Sequence, residues 1–125
     1  MLNRIFKSVI KGLFLAAITL FLSACAKDKE TIALIIVKDS SGQIVSNAGV
    51  TLSPDPTISS GGLYPESSLT KSKTTDSNGR ASFTYELEAI LNVEVSKLIG
   101  NTTYTGSNII RLQRGKTITK VININ

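Results

Sequence analysis

The chain is predicted to be all-β: a seven-stranded antiparallel β-sandwich that follows an N-terminal leader. Three observations predict it. After residue 24 no stretch keeps apolar residues at helical spacing, whereas several keep them at every second position. Clusters of Gly, Asp, Asn and Ser punctuate the chain between those stretches, which leaves short strands joined by turns. The chain has a single cysteine, so no intramolecular disulfide can form and the fold rests on packing and sheet hydrogen bonds. About a hundred residues beyond the leader suit one domain with a modest core.

The leader comes first. Arg4, Lys7 and Lys11 make a basic start, and Gly12 to Ala24 (GLFLAAITLFLSA) carry no charge. Crossing hydrocarbon takes roughly 20 apolar residues. This run is shorter, and it falls within the roughly 7–15 residues of a signal-peptide apolar region. Ser23 and Ala24 supply small residues before a cleavage point. Cys25 stands where the apolar run meets the charged AKDKE. Leu22, Ser23, Ala24 and Cys25 (LSAC) resemble the lipobox of bacterial lipoproteins. That resemblance implies a diacylglycerol on the Cys25 sulfur, cleavage just before it, and acylation of the new amino group. Two or more acyl chains anchor stably where one is marginal. The implied division is 1–24 signal peptide, 25–30 lipidated tether and 31–125 β-sandwich domain.

The tether reads as a solvated spacer. Ala26 stands where many lipoproteins retained in the inner membrane carry aspartate. The KDKE run also resembles the surface-export signal of Bacteroidetes lipoproteins, although Lys29 interrupts its acidic pair. These resemblances imply a lipid-anchored place in the bacterial cell envelope, at the outer membrane, with surface exposure open.

The strands follow in order. TIALIIVK, from Thr31, is a nearly continuous apolar run rich in β-branched residues, as in a buried strand. Asp39 and Gly42 supply a turn. AGVTL, 48–52, turns Val50 and Leu52 inward. Residues 53–68 hold all three prolines and a Gly-Gly pair and show no period, so they read as a long exposed loop. LTKSKTT, 69–75, is a polar strand. Asp76, Asn78 and Gly79 form a structural turn: the carboxylate can accept backbone N–H groups, and Gly79 can take positive φ. RASFTYEL, 80–87, places Ala81, Phe83, Tyr85 and Leu87 on one face. ILNVEVSKL, 90–98, places Leu91, Val93 and Val95 inward. TTYTGSNIIRL and KTITKVININ complete the set, with Ile118, Ile122 and Ile124 on one face and Lys120 interrupting it.

VKDSSGQIVSNAGVTL followed by KTTDSNGRASF resembles the carboxypeptidase regulatory-like and transthyretin-like sandwich modules, and the neighbouring bacterial Ig-like domains. The shared elements fall on Asp39 and Gly42, on Ala48, Val50 and Leu52, and on Thr75, Asp76, Gly79 and Phe83. They are turn and core residues. The resemblance therefore implies a fold and leaves activity open.

No catalytic residue, cofactor or metal site is expected. The chain has no histidine, and Cys25 is committed to lipid. The single Ser-x-x-Lys of the domain, Ser68 to Lys71, lies at a strand edge rather than on a helix. Fitting Asp76–Gly79 to a calcium loop puts Thr74 and Tyr85 where carboxylates are needed. An isopeptide bond of the kind found in related Cna B-type domains needs a buried lysine, an asparagine and an acid. Lys38 shares parity with Ile32, Leu34 and Ile36 and could point inward, but Glu94 and Asn123 point outward.

The net charge of +5 falls to +2 without the leader, because three of the 14 basic residues leave and 11 remain against 9 acidic ones. That is not the footprint of a nucleic-acid binder. The expected partners are the membrane, through the anchor, and an envelope protein or glycan. Leu63, Tyr64 and Pro65 form the candidate binding loop, with Tyr64 as an anchoring aromatic. The expected role is structural or adhesive. The alternative is an accessory subunit of an outer-membrane uptake or assembly complex.

Overall fold

The computed structural model describes residues 29–55 and 69–125. Its strands are β1 (Thr31–Lys38), β2 (Gly49–Pro54), β3 (Lys71–Thr74), β4 (Arg80–Tyr85), β5 (Ile90–Ile99), β6 (Thr102–Arg111) and β7 (Thr117–Asn123). They form two sheets, β4-β1-β7 and β3-β2-β5-β6. The fold is a seven-stranded all-β sandwich, as the alternation predicts.

One pairing departs from the antiparallel expectation. β1 and β7 run parallel, from Ile32 opposite Thr117 to Lys38 opposite Asn123. The reason lies in the connections, each of which reverses the chain, so odd-numbered strands run one way and even-numbered strands the other. β1–β4, β2–β3, β2–β5 and β5–β6 each join an odd strand to an even one and are antiparallel. β1 and β7 are both odd.

Alternation sets the layers. Ala81, Phe83 and Tyr85 of β4 are buried, as are Val50 and Leu52 of β2 and Leu91, Val93 and Val95 of β5. β1 is aliphatic on both parities, so its composition cannot choose a face, and cross-strand partners choose instead. Ala33 lies opposite Phe83 and Ile35 opposite Ala81, and directly opposed residues share a face. Thr31, Ala33, Ile35 and Val37 are therefore buried, while Ile32, Leu34, Ile36 and Lys38 lie on the outer face, partly exposed. This corrects the inward parity expected for Lys38. It also separates the groups an isopeptide bond would need, since Lys38 pairs with Asn123 outside one sheet and exposed Glu94 belongs to the other.

Two element boundaries also move. β2 runs through Ser53 to Pro54 rather than ending at Leu52. β3 pairs with β2 only as far as Leu52, so Pro54 sits where β2 has a neighbour on one side only, a place where a strand tolerates proline. β4 stops at Tyr85, and Leu87 lies beyond it, half-buried.

Side chains close the turns. The Asp39 carboxylate accepts from Ser41 N–H at 2.9 Å, Ser41 Oγ at 2.6 Å and Gln43 N–H at 3.0 Å. The Ser41 hydroxyl and the Gln43 amide hold its pKa below the ordinary carboxylate value. Asp76 Oδ1 likewise accepts from Asn78 N–H at 2.8 Å and Arg80 N–H at 3.0 Å. Gly79 has φ +70°, and a Cβ there would lie 3.0 Å from Ile44 Cβ and 3.1 Å from the Val37 carbonyl oxygen. Thr75 is buried and joins both segments: its Oγ1 donates to the Val45 carbonyl at 2.7 Å and accepts from Ala48 N–H at 2.9 Å.

The sandwich closes along one side. Asn125 and Thr105 exchange backbone hydrogen bonds at 3.2 and 3.3 Å, which ties the end of the chain to β6. This approach requires Gly106, because a Cβ there would lie 2.3 Å from the Asn123 carbonyl oxygen.

Candidate functional site

Strand direction gives the domain two distinct ends. At the tether end, Thr31 lies opposite Tyr85, Pro54 opposite Leu91 and Ile90 opposite Arg111. The β4–β5 and β6–β7 connections meet there, with Leu112 N–H donating to the Ala89 carbonyl at 2.8 Å. Both stems of segment 56–68 belong to this end too, since the Leu69 carbonyl accepts from the Tyr85 hydroxyl at 3.0 Å. The far end carries the Asp39 and Asp76 turns and the β5–β6 hairpin. Beyond Ser96, which is level with Gly49 of β2, the hairpin continues without β2 beside it. Leu98 and Ile99 near its tip are 65% and 53% exposed, and Gly100 turns the chain with φ +62°.

Two surfaces between the ends could meet a ligand. The first is a polar groove of about 610 Å³ on the larger sheet. Thr51, Glu94 and Ser107 form one cross-strand row, and Gly49, Ser96 and Thr105 form the next. Asn123 and Asn125 also line it. Glu94 is the one ionisable side chain among its described lining residues. Hydroxyl, amide and carboxylate groups so arranged can hydrogen-bond a polar ligand.

The second surface is aliphatic. Ile32, Leu34 and Ile36 run down the middle of the outer face of β4-β1-β7. Val121, 43% exposed, lies beside Ile36 on β7. Sequence reasoning missed this stripe because an apolar run in a sandwich strand reads as buried on both faces. The signal was present nonetheless, since among the described residues β1 packs one parity against the other sheet and leaves the other parity partly exposed.

The lysines of β3 have a different part from any the sequence suggested. Lys71 and Lys73 share parity with Leu69 and Thr75, so they reach across the open edge of the sandwich. Lys71 Nζ donates to the Thr84 carbonyl and sits 4.5 Å from the Tyr85 ring centroid. Lys73 Nζ donates to the Ser82 carbonyl at 2.6 Å and sits 5.6 Å from the Phe83 ring centroid. Their stems cover core aromatics while their ammonium groups occupy carbonyls of the edge strand β4. Burial pushes the Tyr85 phenol up to about 12.

Leu22, Ser23, Ala24, Cys25 and the loop residues Leu63, Tyr64 and Pro65 lie outside the described residues.

No family model and no curated protein matches the chain. Among solved structures, it is similar to a proposed carbohydrate-binding protein from Pseudomonas aeruginosa, with a TM-score of 0.48 and 17% identity over 81% of this chain and 93% of that one. It is also similar to chlorocatechol 1,2-dioxygenase from Pseudomonas putida, with a TM-score of 0.47 and 13% identity over 78% of this chain and 60% of that one.

Proposed function

We propose that the protein is a lipid-anchored, non-catalytic module of the bacterial cell envelope with a structural or adhesive binding role. The observation that carries this reading is Cys25, the single cysteine, placed at the end of an uncharged run and six positions ahead of β1. A thiol so placed serves as an attachment point. It also leaves no cysteine in the domain, and the chain has no histidine to act as a general base. Ala26 after the cysteine supports delivery to the outer membrane.

The aliphatic stripe supports a second reading, as an accessory subunit of an outer-membrane uptake or assembly complex. Contiguous apolar surface on a small domain marks a protein contact, and Leu34 is its centre. The polar groove supports a glycan ligand instead.

Cell fractionation tests the anchor. Cys25→Ala is expected to accumulate as an uncleaved precursor or to leave the membrane fraction. Processing at the same bond with unchanged sedimentation would overturn the reading. Capture of partners from intact cells separates the two roles. Leu34→Asp should fold normally and lose a protein partner, whereas Glu94→Gln should lose a glycan.

A further inference from the structure

The tether end distributes its charge unevenly. At the β6–β7 connection, Gly115 N–H donates to Thr31 Oγ1 at 2.9 Å and Ile32 N–H donates to the Lys116 carbonyl at 3.0 Å. Lys116 N–H closes the turn on the Gln113 carbonyl at 3.1 Å. Lys29 runs against the same turn, its carbonyl oxygen 3.5 Å from where a Cβ on Gly115 would lie. The turn is thus clamped to the point where the chain leaves the domain for Cys25. Lys29, Arg114 and Lys116 surround that point. All three are exposed, and none makes an ion pair among the described residues. Glu30 is the acidic neighbour. Of the other described acids of this end, Glu86 and Glu88 follow β4 at the opposite edge of its sheet from β7, and Asp55 follows β2 in the other sheet.

We propose that this corner docks on the phosphate headgroups of anionic phospholipids in the membrane that holds the anchor, and so sets the pose of the domain. The proposal rests on the lipid-anchor reading. Four residue steps separate Cys25 from Lys29, at most about 14 Å of extended chain. The corner is therefore held near the headgroups, where screening acts over roughly 8 Å. Each cation at an anionic surface favours contact roughly fivefold. With Glu30 offsetting one of the three, the docked pose gains on the order of 30-fold. That is enough to orient a domain already held by lipid. In this pose the β6–β7 corner faces the bilayer, Glu86 and Glu88 lift away, and the Leu98–Ile99 hairpin points outward.

The lipidated protein, reconstituted in vesicles, tests the pose. Its native cysteine is blocked by lipid, so a cysteine introduced by Gln113→Cys or Asn101→Cys can be labelled alone with a fluorophore. Vesicles of phosphatidylcholine, with or without phosphatidylglycerol, carry a headgroup quencher. With phosphatidylglycerol at low salt, the label at position 113 is expected to be quenched severalfold more than the label at 101. The difference should collapse at high salt and in the Arg114→Gln, Lys116→Gln double variant. Quenching at 113 that ignores lipid charge, salt and both substitutions, in protein that still floats with the vesicles, overturns the docking corner alone. Protein that fails to float overturns the anchor and the corner together.

Discussion

Thr75 and Tyr85 each carry more than the space they fill. Thr75 satisfies two buried backbone groups with one hydroxyl, so Thr75→Val keeps the shape and orphans Ala48 N–H and the Val45 carbonyl. Each orphaned group costs about 1–3 kcal/mol. A loss of roughly 2–6 kcal/mol is expected by denaturant titration, and an unchanged midpoint would mean that water replaces the hydroxyl. Tyr85 gives a pH dependence. Its pKa in the folded state is about 12 against an ordinary 10.0, because burial disfavours the phenolate. The folded chain therefore holds this proton more tightly than the unfolded chain does. The associated stability is fully present below pH 10 and is lost as the pH rises toward 12. Tyr85→Phe should flatten that alkaline limb relative to the wild type. Parallel limbs would show that the phenol ionises freely in the fold.

At the scale of elements, what the sequence revealed depended on how one-sided each strand is. RASFTY alternates cleanly, and β4 buries Ala81, Phe83 and Tyr85 as its pattern says. TIALIIVK offers aliphatic residues to both faces, so its existence is legible and its parity is not, which leaves an inward Lys38 open from sequence although the fold puts it outside. Lys71 and Lys73 hid for another reason. A lysine reads as solvent-facing, yet its long stem can lie over an aromatic while its ammonium reaches a carbonyl. The parallel β1–β7 pair was legible only from the count of reversals between strands. The candidate surfaces were less legible still, because the groove takes its rows from three strands and the stripe appears only once β1 has a face. The two lysines allow a test. Replacing both with threonine removes the ammonium groups from the Ser82 and Thr84 carbonyls and frees the β4 edge. Stability is expected to fall by only about 1 kcal/mol, as for exposed polar contacts. Self-association should rise, because an unprotected edge is a template for pairing. Light scattering of the folded variant checks this, and a monodisperse monomer would show that the edge is protected by other means.

At the scale of the molecule, chain reversals sort the connections into two groups, and the sorting constrains function. The tether, the β4–β5 and β6–β7 connections and both stems of segment 56–68 share one end, while the Leu98–Ile99 hairpin marks the other. In a chain anchored through Cys25, a partner arriving from beyond the membrane meets the hairpin and the sheet faces before the end that bears Asp55 and Leu69. Replacing residues 56–68 with a short Gly-Ser link decides whether Leu63, Tyr64 and Pro65 make the main contact. The stems keep contacts of their own, Pro54 opposite Leu91 and the Leu69 carbonyl on the Tyr85 hydroxyl. Loop-closure entropy changes slowly with length, by about 0.6 kcal/mol per doubling. The shortened protein is therefore expected to melt within a few degrees of the wild type and to capture its partner from intact cells undiminished, with Tyr64→Ala equally silent. A large drop in melting temperature would put 56–68 into the core. Normal folding with lost capture would return the binding site to Tyr64 and its neighbours, and would require the partner to approach from the membrane side.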